Sequence, residues 1–393
     1  MMTSTSRHAL GIMTTHIAAK PPFLNRAFYR RLTREGSKAG LSVYVFSPQS
    51  IDWTSETVEG YAYDEEARQW KCLRYQLPDA VYDRCFFSNK QQYAQYRAAV
   101  RRLRGHPSVL FLGYGLKGKA EVQHLLELNG RFDGHLPLTK TMRSMRSIVN
   151  WLQTHSEVLL KPQAGSQGRG VLLVQRADAA AVKLQAAVHS LSAAEAPQAF
   201  VVRGRDAHNR RIERGFADAQ SLLRWLRRFT GQRSYLLQQY LLLQTGSGEA
   251  YDVRSLVQKD GTGLWQVTGM AIRRGQGGSL TSNLHGGGSA EPLEPFLVRQ
   301  FGDAQASGIV SKLHELSGQI PAALENYHGR LAELGIDFGI DTEGRIWILE
   351  VNSKPGRSIF TYLHDPQTQV RALTNPIRYA RFLLQHKRRW PKK

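Results

Sequence analysis

The sequence predicts an α/β protein with an N-terminal lobe and a larger second lobe, and three observations lead there. Over residues 8–128, short apolar strands alternate with helical segments, the order of a parallel α/β layer. Beyond residue 138 the strands come mostly in pairs joined by glycine-containing turns. The 393 residues, 41% apolar and 22% charged, exclude a disordered chain. At roughly 100–200 residues per domain they make two or three domains or one large α/β body.

Residues 8–13 (HALGIM) read as the first strand. Prolines at the first turn open a helix over about 22–38, which Gly40 ends. LSVYVF (41–46) is the next strand, so the chain begins strand, helix, strand. Aromatic and polar positions alternate over 58–75 (Tyr61, Tyr63, Trp70), predicting a hairpin, and Leu77-Pro78-Asp79 turns into a short strand ending at Asp83. A helix near 88–104, a strand at 109–112 and a helix near 119–128 complete the lobe, with 130–137 as linker. In the second lobe a helix at 144–154 leads to strand 157–162, a glycine-rich turn at 165–170 and strand 171–175. Residues 177–194 are alanine-rich and helical; 199–216 form a hairpin, 218–230 a helix with arginines outward, and 235–243 a strand. Strands 252–259 and 264–274 pair, and a loop rich in Gly, Ser and Asn spans 275–289. One long helix covers 295–334, and strands 335–341 and 345–351 meet at Thr342-Glu343-Gly344.

The formal charge is +21, from 53 Lys+Arg against 32 Asp+Glu. Residues 365–393 hold eight basic residues and one acid, a net +7; residues 203–233 hold nine arginines and three acids, a net +6. No zinc finger, basic zipper or RNP-type motif accompanies them, so nucleic acid is ranked last as a partner. Both stretches are expected to be solvated surface, able to attract an anionic partner. No apolar run reaches the ~20 residues of a membrane span. Thr14, Thr15 and His16 interrupt the only N-terminal apolar stretch, so a secretory signal is not expected. Cys72 and Cys85 are too few for a disulfide framework or a cysteine-only zinc site, and a reducing, cytoplasmic setting is the default.

Three groups of residues carry chemistry. Lys161-Pro162-Gln163-Ala164-Gly165-Ser166-Gln167-Gly168-Arg169-Gly170 places a lysine on a strand end before three glycines. Glycine N–H groups can wrap phosphate oxygens and the lysine adds a point charge. The order is neither a Walker loop nor a Rossmann fingerprint, and taken alone it serves equally as a hairpin turn or a phosphate cradle. Second, Asp337 and Glu350-Val351-Asn352 lie on two strands joined by a tight turn. Residues 350 and 352 share a face, and Asp337 can join them across the ladder. Two carboxylates and an amide oxygen are hard ligands suited to Mg²⁺. Such acids are otherwise solvated surface, but Ile336, Phe338, Ile348 and Leu349 beside them favour a cleft. Third, Gln238-Gln239-Tyr240, Asp252-Val253-Arg254 and Ser282-Asn283-Leu284-His285-Gly286-Gly287-Gly288 follow between the first two groups, each weak alone.

In that order the residues from Lys161 to Gly356 resemble the ATP-grasp superfamily, most closely its RimK-type ligases. Leu10-Gly11-Ile12, Leu77-Pro78-Asp79-Ala80-Val81-Tyr82-Asp83-Arg84 and Glu350-Val351-Asn352-Ser353-Lys354-Pro355-Gly356 resemble more narrowly the YheC/YheD family of spore formers, described as endospore coat-associated. The resemblance implies a Rossmann-like lobe before a two-subdomain ATP-grasp fold: residues 1–135, a small subdomain 136–243 with the glycine flap, a large subdomain 244–385 with the metal site, and a basic tail 386–393. It implies ATP and one or two Mg²⁺, with Mn²⁺ as substitute. Lys161 would contact phosphate, with Gly165, Ser166, Gly168 and Gly170 as its flap. Gln239 and Tyr240 would frame the adenine, Asp252 would hold the ribose or position a basic residue, and Asn283 would help the metal or phosphate. Arg254 and Arg273 or Arg274 would face the triphosphate or an acyl-phosphate, and Asp337, Glu350 and Asn352 would hold metal. The implied activity joins a small-molecule or peptide carboxylate to an amine or thiol, forming ADP. The alternative is an ATP-binding, non-catalytic coat-associated protein acting through its basic surface. Thr281-Ser282-Asn283 stands where the RimK-type pattern has Arg-Ser-Asn, and Gln238-Gln239 stands where it has a glutamate.

Overall fold

A computed structural model describes residues 8–87, 90–165, 168–177, 199–275, 282, 288–363 and 365–387. Among them the strands form three sheets. In the first, β1 (Ala9–Met13) lies between two parallel neighbours, β2 (Ser42–Asp52) and β5 (Ala80–Asp83), and β6 (Leu110–Phe111) continues parallel beyond β5. The hairpin of β3 (Thr57–Asp64) and β4 (Gln69–Gln76) extends the other edge antiparallel. Period-two alternation sorts the apolar residues onto both faces. Leu10, Ile12, Val43 and Val45 pack with Tyr29 and Leu32 of α1 (Arg26–Lys38), while Met13, Tyr44 and Phe46 pack with Leu103 of α2 (Lys90–Gly105). This is the Rossmann-like lobe the sequence implies.

The second sheet is antiparallel. Its order is β11 (Arg211–Phe216), β10 (Phe200–Arg205), β9 (Leu172–Arg176), β8 (Glu157–Pro162), β12 (Tyr235–Gln238) and β7 (Thr139–Thr141). The third runs β15 (Ser289–Glu291), β14 (Trp265–Arg274), β13 (Tyr251–Lys259), β16 (Glu333–Ile340) and β17 (Ile346–Asn352), also antiparallel. Val122 and Leu126 of α3 (Lys119–Asn129) join the core on one face of the third sheet, although the sequence places this helix with the first lobe. In the second sheet, α4 (Met145–Thr154) and α5 (Ala219–Thr230) pack Ile148, Trp151, Leu222 and Leu226 onto the strands.

Several boundaries differ from expectation. The first helix begins at Arg26, because the Pro22 carbonyl is held by the Ile17 N–H at 3.0 Å and Asn25 is left-handed at φ 57°. The long helix divides at Gly302 (φ 75°) into α6 (Leu293–Phe301) and α7 (Asp303–His328); Gly329 ends it, and the strand begins at Glu333. The strand expected over 235–243 stops at Gln238. The alanine-rich stretch lies almost wholly outside the described residues.

The largest correction is at the C-terminus, where the sequence reading offers only solvated charge. After α8 (Ser358–Tyr362), residues Pro366–Gln385 form α9, started by Asp365, whose side chain accepts from the Thr368 N–H. Its Ile377, Tyr379, Ala380, Leu383 and Leu384 are buried in the same cluster as Leu10 and Leu32, while Arg371, Arg378 and Arg381 face outward. The arginines are solvated as expected. What they concealed is an apolar stripe that seals one face of the first sheet.

Candidate active site

A cavity of about 990 Å³ runs between the second and third sheets and reaches α1 of the first lobe. Its floor is the third sheet, and β16 shows how the sequence builds it. In Glu333-Leu334-Gly335-Ile336-Asp337-Phe338-Gly339-Ile340 the even positions are apolar and join the core. The odd positions, two acids and two glycines, turn to the other face. A Cβ on Gly335 would stand 2.8 Å from Pro355 and 3.2 Å from Arg254, so glycine there lets both approach the strand.

Arg254 on β13, Asp337 on β16 and Glu350 on β17 lie directly opposite one another across the ladder. A bulge in β17 makes this possible. Asp337 pairs with Glu350 but Phe338 with Ile348, leaving Leu349 as an extra residue. Ile346 and Ile348 therefore face the core together with Val351, and Glu350 and Asn352 turn to the cavity. Under strict alternation Ile348 and Glu350 would share a face.

The acids are deeply held. Asp337 is 7% exposed and Asp252 8%. Arg254 donates to Asp337 through Nε at 2.5 Å and Nη2 at 3.1 Å. Arg273 bonds both oxygens of Asp252 at 2.6 and 2.7 Å and approaches Asp337 at 3.0 Å. Burial opposes charge on both carboxyls, with different outcomes. On Asp337 the two guanidiniums prevail and its carboxyl lies below the usual aspartate range; on Asp252 burial prevails and, with the Asp337 charge nearby, raises it. Lys161, on β8 above them, is pushed down to about 8, first by burial and then by the like charge of Lys119, against the pull of Glu350, Asp337 and Asp252.

Lys161, Gly165, Gly168, Gln239, Tyr240, Asp252, Arg254, Arg273, Asp337, Glu350 and Asn352 all line this one cavity, although they span 191 positions of sequence. Gly165 and Gly168 are left-handed at φ 126° and 67°. Gly170 does not line it, and its N–H bonds the Asp206 carbonyl at 3.2 Å, a hairpin duty. The Gln239 N–H is engaged with the Leu138 carbonyl at 2.8 Å. Arg274 is kept apart: neighbouring residues of β14 face opposite ways, and Arg274 meets Glu291 at 3.2 Å and Glu249 at 3.6 Å. Ser166 and Asn283 lie outside the described residues.

Sequence reasoning missed Lys119, which meets Glu350 at 3.4 Å. It had a signal: a lysine at the first position of a helix opposes the macrodipole and calls for another reason to be there. It also missed Arg84, Glu333 and Arg357, a buried cluster at the first-lobe end of the cavity. Arg84 donates to Glu333 at 2.9 Å, Arg357 pairs with the same carboxylate, and the Tyr82 hydroxyl donates to it at 2.6 Å. Among the described residues no three His, Cys, Asp or Glu side chains gather for a metal. A cation here would rest on two carboxylates, the Asn352 amide and oxygens from outside the chain. That oxygen-only set is of the kind Mg²⁺ accepts, and Asp337 keeps lone-pair capacity beyond its arginine bonds.

The antiparallel second and third sheets, with a lysine strand over a ladder of buried acids, define an ATP-grasp fold. A solved structure with a similar fold is D-cycloserine synthetase DcsG, with a TM-score of 0.54 and 13% identity, spanning 96% of this chain and 99% of that one. The chain belongs to the YheC/D like ATP-grasp family, whose model matches residues 108–383. It is 27% identical to the endospore coat-associated protein YheC of Bacillus subtilis (strain 168) over 352 residues, 90% of this chain and 91% of that protein. It is also 27% identical to the endospore coat-associated protein YheD of the same organism over 381 residues, 95% of this chain and 78% of the other. No helix among the described residues is long and apolar enough to cross a membrane.

Proposed function

We propose that the chain is an ATP- and Mg²⁺-dependent ligase that joins a carboxylate to an amine or thiol through an acyl-phosphate, releasing ADP. The observation that carries this reading is the meeting of Lys161, Arg254, Arg273, Asp337, Glu350 and Asn352 in one cavity. A substrate carboxylate oxygen attacks the γ-phosphorus, the bond to the bridging oxygen breaks, and ADP leaves. The amine or thiol then attacks the acyl carbon and displaces inorganic phosphate.

Lys161 supplies positive charge to the phosphates from β8, and the Gly165 and Gly168 N–H groups cover them. The Tyr240 and Leu241 N–H groups bond no other described backbone group and lie beside the cavity, where an adenine edge can be read. Arg273 holds Asp252 and Asp337 in place, and Arg254 presents its remaining N–H groups to the transferring phosphoryl. Asp337, Glu350 and Asn352 would hold Mg²⁺, which neutralises charge on the phosphoryl oxygens. Ser166 would complete the flap, and Asn283 would help the metal or phosphate.

Thermal unfolding tests the nucleotide site. ATP with Mg²⁺ stabilises by RT ln(1 + [L]/Kd), about 2.7 kcal/mol at 100-fold saturation. The shift is expected in the natural protein and absent in Glu350→Ala. With a carboxylate and an amine, ADP and phosphate are the expected products; AMP and pyrophosphate would refute the mechanism.

A second reading concerns the surface. A groove of about 490 Å³ beside Tyr240 is lined by Arg203, Arg205 and Arg211. The relatives' names associate them with the endospore coat. Together these support coat association through an anionic partner, with or without catalysis. Binding of the full chain to coat material that weakens steeply with salt and ignores Glu350→Ala is its expected signature.

A further inference from the structure

The cavity does not end at Glu350. It continues past Lys354 to Phe28 and Arg31 of α1, Arg84 and Phe86 after β5, and Arg357 beside α8. Four cations stand here: Arg31, Arg84, Lys354 and Arg357. Two acids answer them. Glu333 is shared by Arg84 and Arg357, and Asp83 takes Lys354 at 2.7 Å while also facing Arg104 at 3.6 Å. The Arg31 side chain is exposed and makes no hydrogen bond or ion pair with a described residue.

Arg84 is the telling residue. It is 5% exposed, yet its buried Nε bonds nothing. Its Nη1 goes to Glu333 at 2.9 Å and its Nη2 to the Pro355 carbonyl at 3.2 Å. A buried guanidinium with an orphaned N–H is costly and calls for an acceptor. Around it the walls are aromatic and aliphatic. The Phe86 and Phe28 rings lie 5.3 and 5.9 Å from the Arg84 guanidinium, and Phe360, Ile359 and Leu373 line the same end. Phe86 remains 50% exposed, a large apolar surface turned to the cavity.

We propose that this end of the cleft is a subsite for a carboxylate attached to an apolar body, with Arg84 and Arg31 as its anion contacts and Phe28 and Phe86 as its apolar walls. The excess positive charge, with the exposed Arg31 guanidinium bonded to no described residue, calls for an anion, and the aromatic walls call for apolar surface beside it. The polyphosphate cations Lys161 and Arg273 lie toward the other end, so a single carboxylate suits this end. The inference rests on the ligase reading in one respect: a carboxylate bound here shares a continuous cavity with the phosphates and is the group to be phosphorylated before the amine or thiol is acylated.

Calorimetry on the full chain without nucleotide tests it, with 3-phenylpropionate, its primary amide, and inorganic phosphate as probes. The acid is expected to bind about tenfold tighter than the amide, the difference a charge-assisted pair makes. Arg31→Ala and Phe86→Ala, both at exposed positions, are each expected to weaken the acid several-fold while the stabilisation by ATP with Mg²⁺ persists. Arg84→Met is expected to abolish acid binding; should it fail to fold, the other two variants decide. Equal binding of acid and amide would overturn the proposal, as would no binding of the acid at about 10 mM or its displacement by phosphate. Each of those results leaves the ATP and Mg²⁺ shift intact if the ligase reading holds. Loss of that shift with acid binding preserved refutes the nucleotide site instead.

Discussion

Lys161 shows what the site demands of one side chain. Held near 8 by burial and by Lys119, its ammonium is partly discharged in mildly alkaline solution. A bound polyphosphate favours the charged form and raises that value. ATP affinity is therefore expected to be full below about pH 8 and to fall as pH rises through it, because binding then takes up a proton. Titrating ATP between pH 7 and about 9 checks this. Lys161→Met should weaken ATP by about tenfold or more and remove the pH slope. A slope of equal size in the variant would place the titrating group elsewhere. Asp337 and Asp252 make the same point for acids: similar burial, opposite displacement, decided by how many guanidiniums each faces.

At the scale of an element, the third sheet works through parity. The bulge at Leu349 lets β17 present Ile346 and Ile348 to the core and Glu350 and Asn352 to the cavity. Deleting Leu349 makes Ile348 and Glu350 neighbours, so strict alternation alone then keeps Ile348 on the core face and Glu350 on the cleft. The ATP shift is expected to persist in this deletion, with a stability change of about 1–3 kcal/mol at most by denaturant unfolding; loss of the shift would mean that the bulge itself, beyond the parity it sets, positions Glu350. The shared face of residues 350 and 352 and their meeting with Asp337 were legible in the sequence; the full alternation of acids and glycines in β16 was not, because residues 333 and 334 read as the end of a helix. The bulge was not: Trp347-Ile348-Leu349-Glu350 has no glycine to mark it. Arg273 and Arg274 were likewise left as alternatives until β14 pairing turned Arg273 to Asp252 and Arg274 to Glu291.

At the scale of the molecule, α9 ties the first sheet to the third. Leu383 is fully buried with the first-sheet residues, while Gln258 of β13 donates to the Ala372 carbonyl at 3.2 Å. Leu383→Ala is expected to cost about 2–5 kcal/mol in unfolding free energy, whereas Arg378→Ala on the outer face stays within about 0.5. Equal, small effects would mean that α9 is not part of the cooperative unit. The net charge thus divides by side: Arg371, Arg378 and Arg381 are solvated on α9, and Lys119, Lys161, Arg84, Arg254, Arg273 and Arg357 are gathered in the cleft.

By itself the sequence determined the alternation of strands and helices, the lysine before the glycine loop and the acids of the last two strands. These are local facts, fixed by period, turn residues and spacing of a few positions. Only the tertiary structure decided that Lys119 meets Glu350, that Arg84 and Arg357 converge on Glu333, and that a stretch rich in arginine seals the first sheet. Arg84 and Glu333 stand 249 positions apart. No periodicity links residues at that distance; they meet because buried charge is stable only where another chain segment supplies its partner.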